Sequence, residues 1–271
     1  MSDLIQISDP HFGTERPEVV EALLRFARAR APELVVLSGD ITQRATRSQF
    51  AAARAFVDRL APPALLVIAG NHDIPLFNLA ARIVAPYANH RRAFGSELEP
   101  EHRSPAWLVL GVKTTRRWRH SDGEVSAAQI ARVAQRLATA EDGQMRVVVV
   151  HQPVAVPDAG ERHNLLKGRE DAIRRWADAG ADVIVGGHIH LPYVIPLHGR
   201  DTGLPRRLWC VQAGTALSSR VRDGVDNSIN VLCHDRRRQA QIERWDFDAG
   251  SQDFRLIATD PLDLSAVDAV D

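Results

Sequence analysis

The chain has 271 residues, 45% hydrophobic and 25% charged, with 34 basic and 34 acidic side chains and no net formal charge. That length can bury a sizeable core within one domain, and the neutral balance gives no electrostatic reason to expect a nucleic-acid partner. No apolar run approaches the roughly 20 residues of a bilayer span, and no basic stretch with an apolar leader core precedes the first strand pattern, so a soluble cytoplasmic protein is expected.

In chain order, residues 4–8 read as a strand and 17–30 as a helix with Val19, Val20, Leu23, Leu24 and Ala27 on one stripe. Residues 34–38 form a continuous apolar run of the buried-strand kind, 48–60 an alanine-rich amphipathic helix, and 64–69 a second buried strand. Two β-α-β steps of this kind imply a largely parallel sheet with right-handed crossovers. The pattern loosens over 75–105, broken by Pro86, Gly95, Pro100 and Pro105, and reads as a cap or substrate-side insertion. Strand 107–112, helix 126–140, strand 146–150, helix 169–179 and strand 182–185 follow. Short strands at 193–197, 207–213, 228–234 and 239–247 then read as antiparallel. Residues 1–247 are expected to form one α/β domain, and the acidic, poorly periodic 248–271 a loose tail. Cys210 and Cys233 fall in strand patterns without CxxC spacing and read as buried reduced thiols. Sheet edges leave room for a homodimer.

Five motifs carry chemistry: Asp9-Pro10-His11, Gly39-Asp40, Gly70-Asn71-His72-Asp73, an isolated His151, and Gly187-His188-Ile189-His190. Alone, each has a bland reading. Gly-Asp is a turn, His151 an edge histidine, and Asp9-Pro10-His11 a helix-capping turn. Together they put oxygen and nitrogen donors just past predicted strands, and the carboxyl ends of parallel strands share one sheet edge. Spacing of two in an extended segment would point Asp9 and His11 the same way, with Pro10 holding Asp9 extended. The same reasoning pairs His188 with His190 and turns Ile189 toward the core.

The motifs and their order resemble the calcineurin-like metallophosphoesterase superfamily, whose signature is D-x-H, G-D, G-N-H-[D/E], a lone H and G-H-x-H. The resemblance runs from about residue 4 to residue 215 and is greatest to the bacterial class III cyclic-nucleotide phosphodiesterase branch. It implies a four-layer αββα sandwich with two mixed β-sheets flanked by helices. It also implies two divalent transition-metal ions, one held by Asp9, His11, Asp40 and His190, the other by Asn71, His151 and His188, with Asp40 bridging. A nitrogen and oxygen donor set without thiolate suits Mn, Fe, Co, Ni or Zn. A hydroxide shared by the two ions would attack phosphorus in line. His72 would protonate the leaving group or stabilise the transition state, with Asp73 orienting it. The expected substrate is a small phosphodiester such as a cyclic nucleotide. Phosphomonoesters and nucleotide-sugar pyrophosphates are the alternatives, and a non-catalytic scaffold of the same fold is the reading from a different class. Ile189 departs from the threonine or small polar residue usual between the last two histidines. Gln43, Arg44, His90, Arg91, Arg92, Arg220 and Arg222 are weaker candidates for substrate contact, each with solvated surface charge as its plain alternative.

Overall fold

A computed structural model describes residues 1–199, 203–204, 206–222, 224–235 and 239–264. The first half contains β1 (Ser2–Ile7), α1 (Pro17–Arg30), β2 (Leu34–Ser38), α2 (Arg47–Leu60), β3 (Leu65–Ile68), α3 (Leu79–Val84), α4 (Ala88–Phe94), β4 (Glu101–Arg103) and β5 (Trp107–Gly111). The second half contains α5 (Ala127–Leu137), β6 (Met145–Val149), α6 (Arg169–Asp178), β7 (Val183–Gly186), β8 (Tyr193–Pro196), β9 (Trp209–Gln212), β10 (Ser228–His234), β11 (Gln239–Asp248) and β12 (Asp253–Asp263).

Local chemistry sets several of these boundaries. Pro17 supplies the fixed φ of a first helical turn in α1. Thr46 caps α2 by accepting from the Gln49 amide, and Ser126 and Gln129 form a reciprocal capping box on α5. A cap of this kind contributes about 1 kcal/mol.

The strands form two six-stranded sheets, ordered β12-β11-β10-β1-β2-β3 and β4-β5-β6-β7-β9-β8. β1, β2 and β3 are parallel neighbours, as are β5, β6, β7 and β9. Alternation along β2 shows how the layers stack. Val35 and Leu37 pack with Val19, Leu23 and Phe56 beneath α1 and α2, whereas Leu34 and Val36 meet Val109, Val147 and Val185 of the other sheet. The opposite face of the second sheet, with Leu108, Val148 and Ile184, is covered by Ile130, Val133 and Trp176 of α5 and α6. The result is the expected helix-sheet-sheet-helix sandwich.

Two expectations need correction. The strands after residue 192 do not form one antiparallel group: β10 and β11 extend the first sheet from β1, while β8 and β9 join the second, β9 parallel to β7. The segment 248–271 is not a loose tail throughout, because β12 pairs along the whole of β11; residues 265–271 lie outside the described part. The 75–105 region holds α3, α4 and β4, and its last piece is the edge strand of the second sheet.

Candidate metal centre

Every signature residue follows a strand end. Asp9 and His11 follow β1, Asp40 follows β2, Asn71 and His72 follow β3, His151 follows β6, and His188 and His190 follow β7. Both sheets therefore deliver donors to one edge. The backbone that presents them is not extended, however: Asp9, His11, Asp40, His188 and His190 have φ of 49°, 43°, 48°, 74° and 55°. The expected extended pairing of Asp9 with His11, and of His188 with His190, is thus replaced by sharp left-handed turns. Such turns cost non-glycine residues about 1–2 kcal/mol each and persist only where surrounding contacts impose them. Those contacts are present. Asp9 N donates to Gly39 O and His11 N to Asp40 O, both at 3.1 Å, and Gly187 N donates to His151 O at 2.9 Å. Gly70 and Gly187 make the packing possible, since a Cβ on Gly70 would overlap Asp40 and one on Gly187 would overlap Ser8 and Asp9.

The donors gather in three overlapping groups: Asp9, His11 and His190; His11, Asp40 and His72; and Asp40, His151 and His188. Within each group, one candidate ligand atom per residue lies within 4.8 Å of the others. Asp40 Oδ1 is 3.2 Å from His151 Nε2, its Oδ2 is 3.9 Å from His11 Nε2, and Asn71 Oδ1 is 3.2 Å from His151 Nε2. Asp9 Oδ1 lies 3.3 Å from His190 Nε2. His11 and His190 face each other Nε2 to Nε2 at 3.1 Å, close to the spacing of two nitrogens bound at roughly 2.1 Å and a right angle to one cation.

Backbone carbonyls fix the rings. Nδ1 of His151 donates to Ser38 O at 3.0 Å, that of His190 to Arg220 O at 2.7 Å, and that of His72 to Gln43 O at 3.0 Å. Each hydrogen bond selects the tautomer whose Nε2 lone pair is free. His188 Nδ1 is buried without a hydrogen-bond partner among the described residues, an atom that a cation would satisfy.

Electrostatics point the same way. Burial pushes the Asp40 carboxyl up, but the charge and hydrogen bond of His151 hold it well below its ordinary range. Burial opposes protonation of His151 as well, and Asp40 still raises it to about 9. Burial takes His11 down to about 3, and burial with the charge of His151 takes His188 to about 4. The pocket thus draws positive charge onto His151 and His190 beside the carboxylates of Asp40 and Asp9 while keeping His11 and His188 neutral, and a divalent cation would take over the charge that the two raised imidazoles carry.

Asp73 does not orient His72. Its buried carboxylate accepts from Ile41 N at 3.0 Å, Thr42 N at 2.8 Å, Thr42 Oγ1 at 2.8 Å and Gly70 N at 2.9 Å, clamping the loops after β2 and β3 together. His90 does not reach the site either. It is fully buried in α4 between Phe50 and Phe94, because that helix packs its inner face on α2. Arg91 and Arg92 lie on the exposed side of the same helix. Arg44 lies over Phe77 and borders a small hollow beside His72, while Gln43 and Arg220 meet next to that ring. Ile189 is buried, as expected, and also borders the cleft beside the donor groups. That cleft, of about 560 Å³, also has His120, Ser121, Glu161 and Asn164 on its walls. None of these four belongs to a motif, and their loops carry no pattern that would single them out in the sequence.

Residues 3–192 match the family model described as calcineurin-like phosphoesterase. The chain belongs to that family. A Synechococcus relative called a probable cyclic nucleotide phosphodiesterase is 26% identical over 161 residues, which cover 55% of this chain and 57% of that protein. Among solved structures, the purple acid phosphatase PPD1 of yellow lupin superposes with a TM-score of 0.73 at 14% identity, over 96% of this chain and 53% of that one. A dimetal phosphatase from Danio rerio gives 0.66 at 13% identity, over 97% and 99%. This chain thus spans little more than half of two of these three proteins, and the structural likenesses establish the metallophosphoesterase fold. No helix among the described residues is long and apolar enough to cross a membrane.

Proposed function

We propose that the protein is a phosphodiesterase that hydrolyses a small phosphodiester, a cyclic nucleotide being the leading candidate, with two divalent transition-metal ions. The observation that carries this reading is the position of Asp40 in two donor groups at once, one with His11 and one with His151 and His188. Asp9, His11, Asp40 and His190 would hold one ion; Asp40, Asn71, His151 and His188 would hold the other. When bound, such ions lower the pKa of a water nucleophile and neutralise charge developing on phosphoryl oxygens. The donor set is nitrogen and oxygen only, which suits Mn, Fe, Co, Ni or Zn.

The chain supplies the rest. His72 borders the cleft with Nδ1 donating to Gln43 O, so a second proton would be carried at Nε2, where a leaving-group oxygen bound in the cleft would take it. Transfer of that proton leaves the neutral tautomer that the Gln43 carbonyl already favours. The cleft is of a size to take a small ligand, and the name of the Synechococcus relative supports a diester over a monoester. All seven ligand positions and His72 are filled, which favours an enzyme over a catalytically silent scaffold. Manganese-loaded protein should cleave bis(p-nitrophenyl) phosphate, and Asp40→Ala should abolish turnover. Wild-type turnover in that variant would refute the shared-ligand role.

A further inference from the structure

Arg220 lies in the loop after β9, beyond residue 192 where the family match ends. Its backbone is committed to the metal centre: the carbonyl accepts from His190 Nδ1 at 2.7 Å, and the amide donates to Ser218 Oγ at 3.2 Å. Its side chain is committed to nothing charged. Nη1 donates to Gln43 Oε1 at 3.0 Å and to His72 Nε2 at 3.3 Å, both uncharged acceptors when His72 is neutral. Among the described residues it forms no salt bridge, whereas Arg222, on the same cleft wall, is paired with Glu161 at 2.7 Å. A half-buried guanidinium resting on neutral acceptors lacks the counter-ion that would repay its desolvation. It lines the cleft beside His72 and the donor groups, where a phosphoryl group would lie.

We infer that Arg220 is the substrate's phosphoryl anchor, moving from Gln43 and His72 onto a non-bridging phosphoryl oxygen when substrate enters. This rests on the phosphoesterase reading above and deepens it by assigning the residue that recognises the anion. The exchange replaces two hydrogen bonds from the guanidinium to neutral acceptors with bonds to an ionised acceptor, so that both partners carry charge, and vacates His72 Nε2. The planar fork of arginine suits two adjacent phosphoryl oxygens, which lysine cannot match. Gln43 then acts at both ends, its carbonyl orienting His72 and its side chain parking Arg220.

The test uses the metal-loaded full chain with inorganic phosphate as probe. Phosphate binding by calorimetry, kcat and KM on bis(p-nitrophenyl) phosphate, and metal content are measured for wild type, Arg220→Gln and Arg220→Lys. Arg220→Gln should retain its metals and its circular dichroism, yet bind phosphate roughly 10- to 100-fold more weakly, the worth of one hydrogen bond to a charged group. Arg220→Lys should recover part of the loss, and millimolar guanidinium should partly restore Arg220→Gln. Unchanged phosphate affinity in Arg220→Gln would overturn the inference. So would loss of metal in that variant, which would make Arg220 a backbone support for His190. If wild type binds phosphate through Arg220 but cleaves no ester, the hydrolytic reading fails and the anchor stands. If it cleaves without depending on Arg220, the anchor alone fails.

Discussion

Replacing Asp73 should cost stability before it costs chemistry. Its carboxylate receives three backbone amides and one hydroxyl: Oδ1 takes Thr42 N and Thr42 Oγ1, and Oδ2 takes Ile41 N and Gly70 N. The residue is 1% exposed, so truncation leaves three buried donors with little access to water. At about 1–3 kcal/mol for each stranded donor, with partial relaxation, Asp73→Ala should lose about 3–5 kcal/mol, a large share of the roughly 5–15 kcal/mol that holds a typical domain. Asp73→Asn is no rescue. Its single oxygen can serve the Thr42 pair, but its NH₂ then opposes the Ile41 and Gly70 amides, donor against donor, and about 2–4 kcal/mol should still be lost. Urea unfolding of both variants in EDTA measures this without metal linkage. Because the Gln43 carbonyl orients His72, folded Asp73→Asn should keep much of its kcat. A variant of wild-type stability with kcat down a hundredfold would refute this reasoning and return Asp73 to the role of orienting His72.

Three further outcomes are expected. His72→Ala should keep its full metal content and lose about 10²–10⁴ in kcat on bis(p-nitrophenyl) phosphate, the usual worth of a general acid, and loss of metal instead would make the residue a ligand. His90, buried between Phe50 and Phe94, has its pKa pushed by burial and the nearby Arg91 from 6.5 to about 4, so on acidification the unfolded chain takes up this proton first. Its contribution is therefore complete above pH 6.5 and declines as pH falls toward 4, by about 2 kcal/mol between pH 7 and 5. His90→Leu should lose that part of the slope in urea titrations at the two pH values, and an unchanged slope would contradict the burial argument. Chelation followed by dialysis should abolish turnover in wild type, with recovery on adding back manganese; activity that survives chelation would count against a metal-dependent reaction.

The sandwich was legible where packing writes a periodic pattern. Val19, Leu23 and Ala27 repeat at helical spacing on α1, and β2 is apolar from Leu34 to Leu37 because both of its faces are covered. β12 was not, because an edge strand with exposed Asp253, Arg255, Leu256 and Ile257 shows little alternation and contains Pro261. Nor could spacing assign β10 and β11 to the first sheet, since strand pairing across more than 200 residues leaves no local trace. At the site, the motif residues announced themselves by type and order. Their left-handed turns did not, because Asp9 and His188 are forced there by the hydrogen bonds of distant loops. Asp73 and His90 were misplaced for the same reason: a sequence neighbour of His72 or of Arg91 need not point the same way, and tertiary packing decided each.

The proposed two-ion site built on Asp40 is tested most directly by anomalous diffraction from crystals soaked in manganese. Two peaks roughly 3.5–4 Å apart, with the Asp40 carboxylate between them, are expected. A single peak, or a pair that leaves Asp40 unliganded, would contradict it.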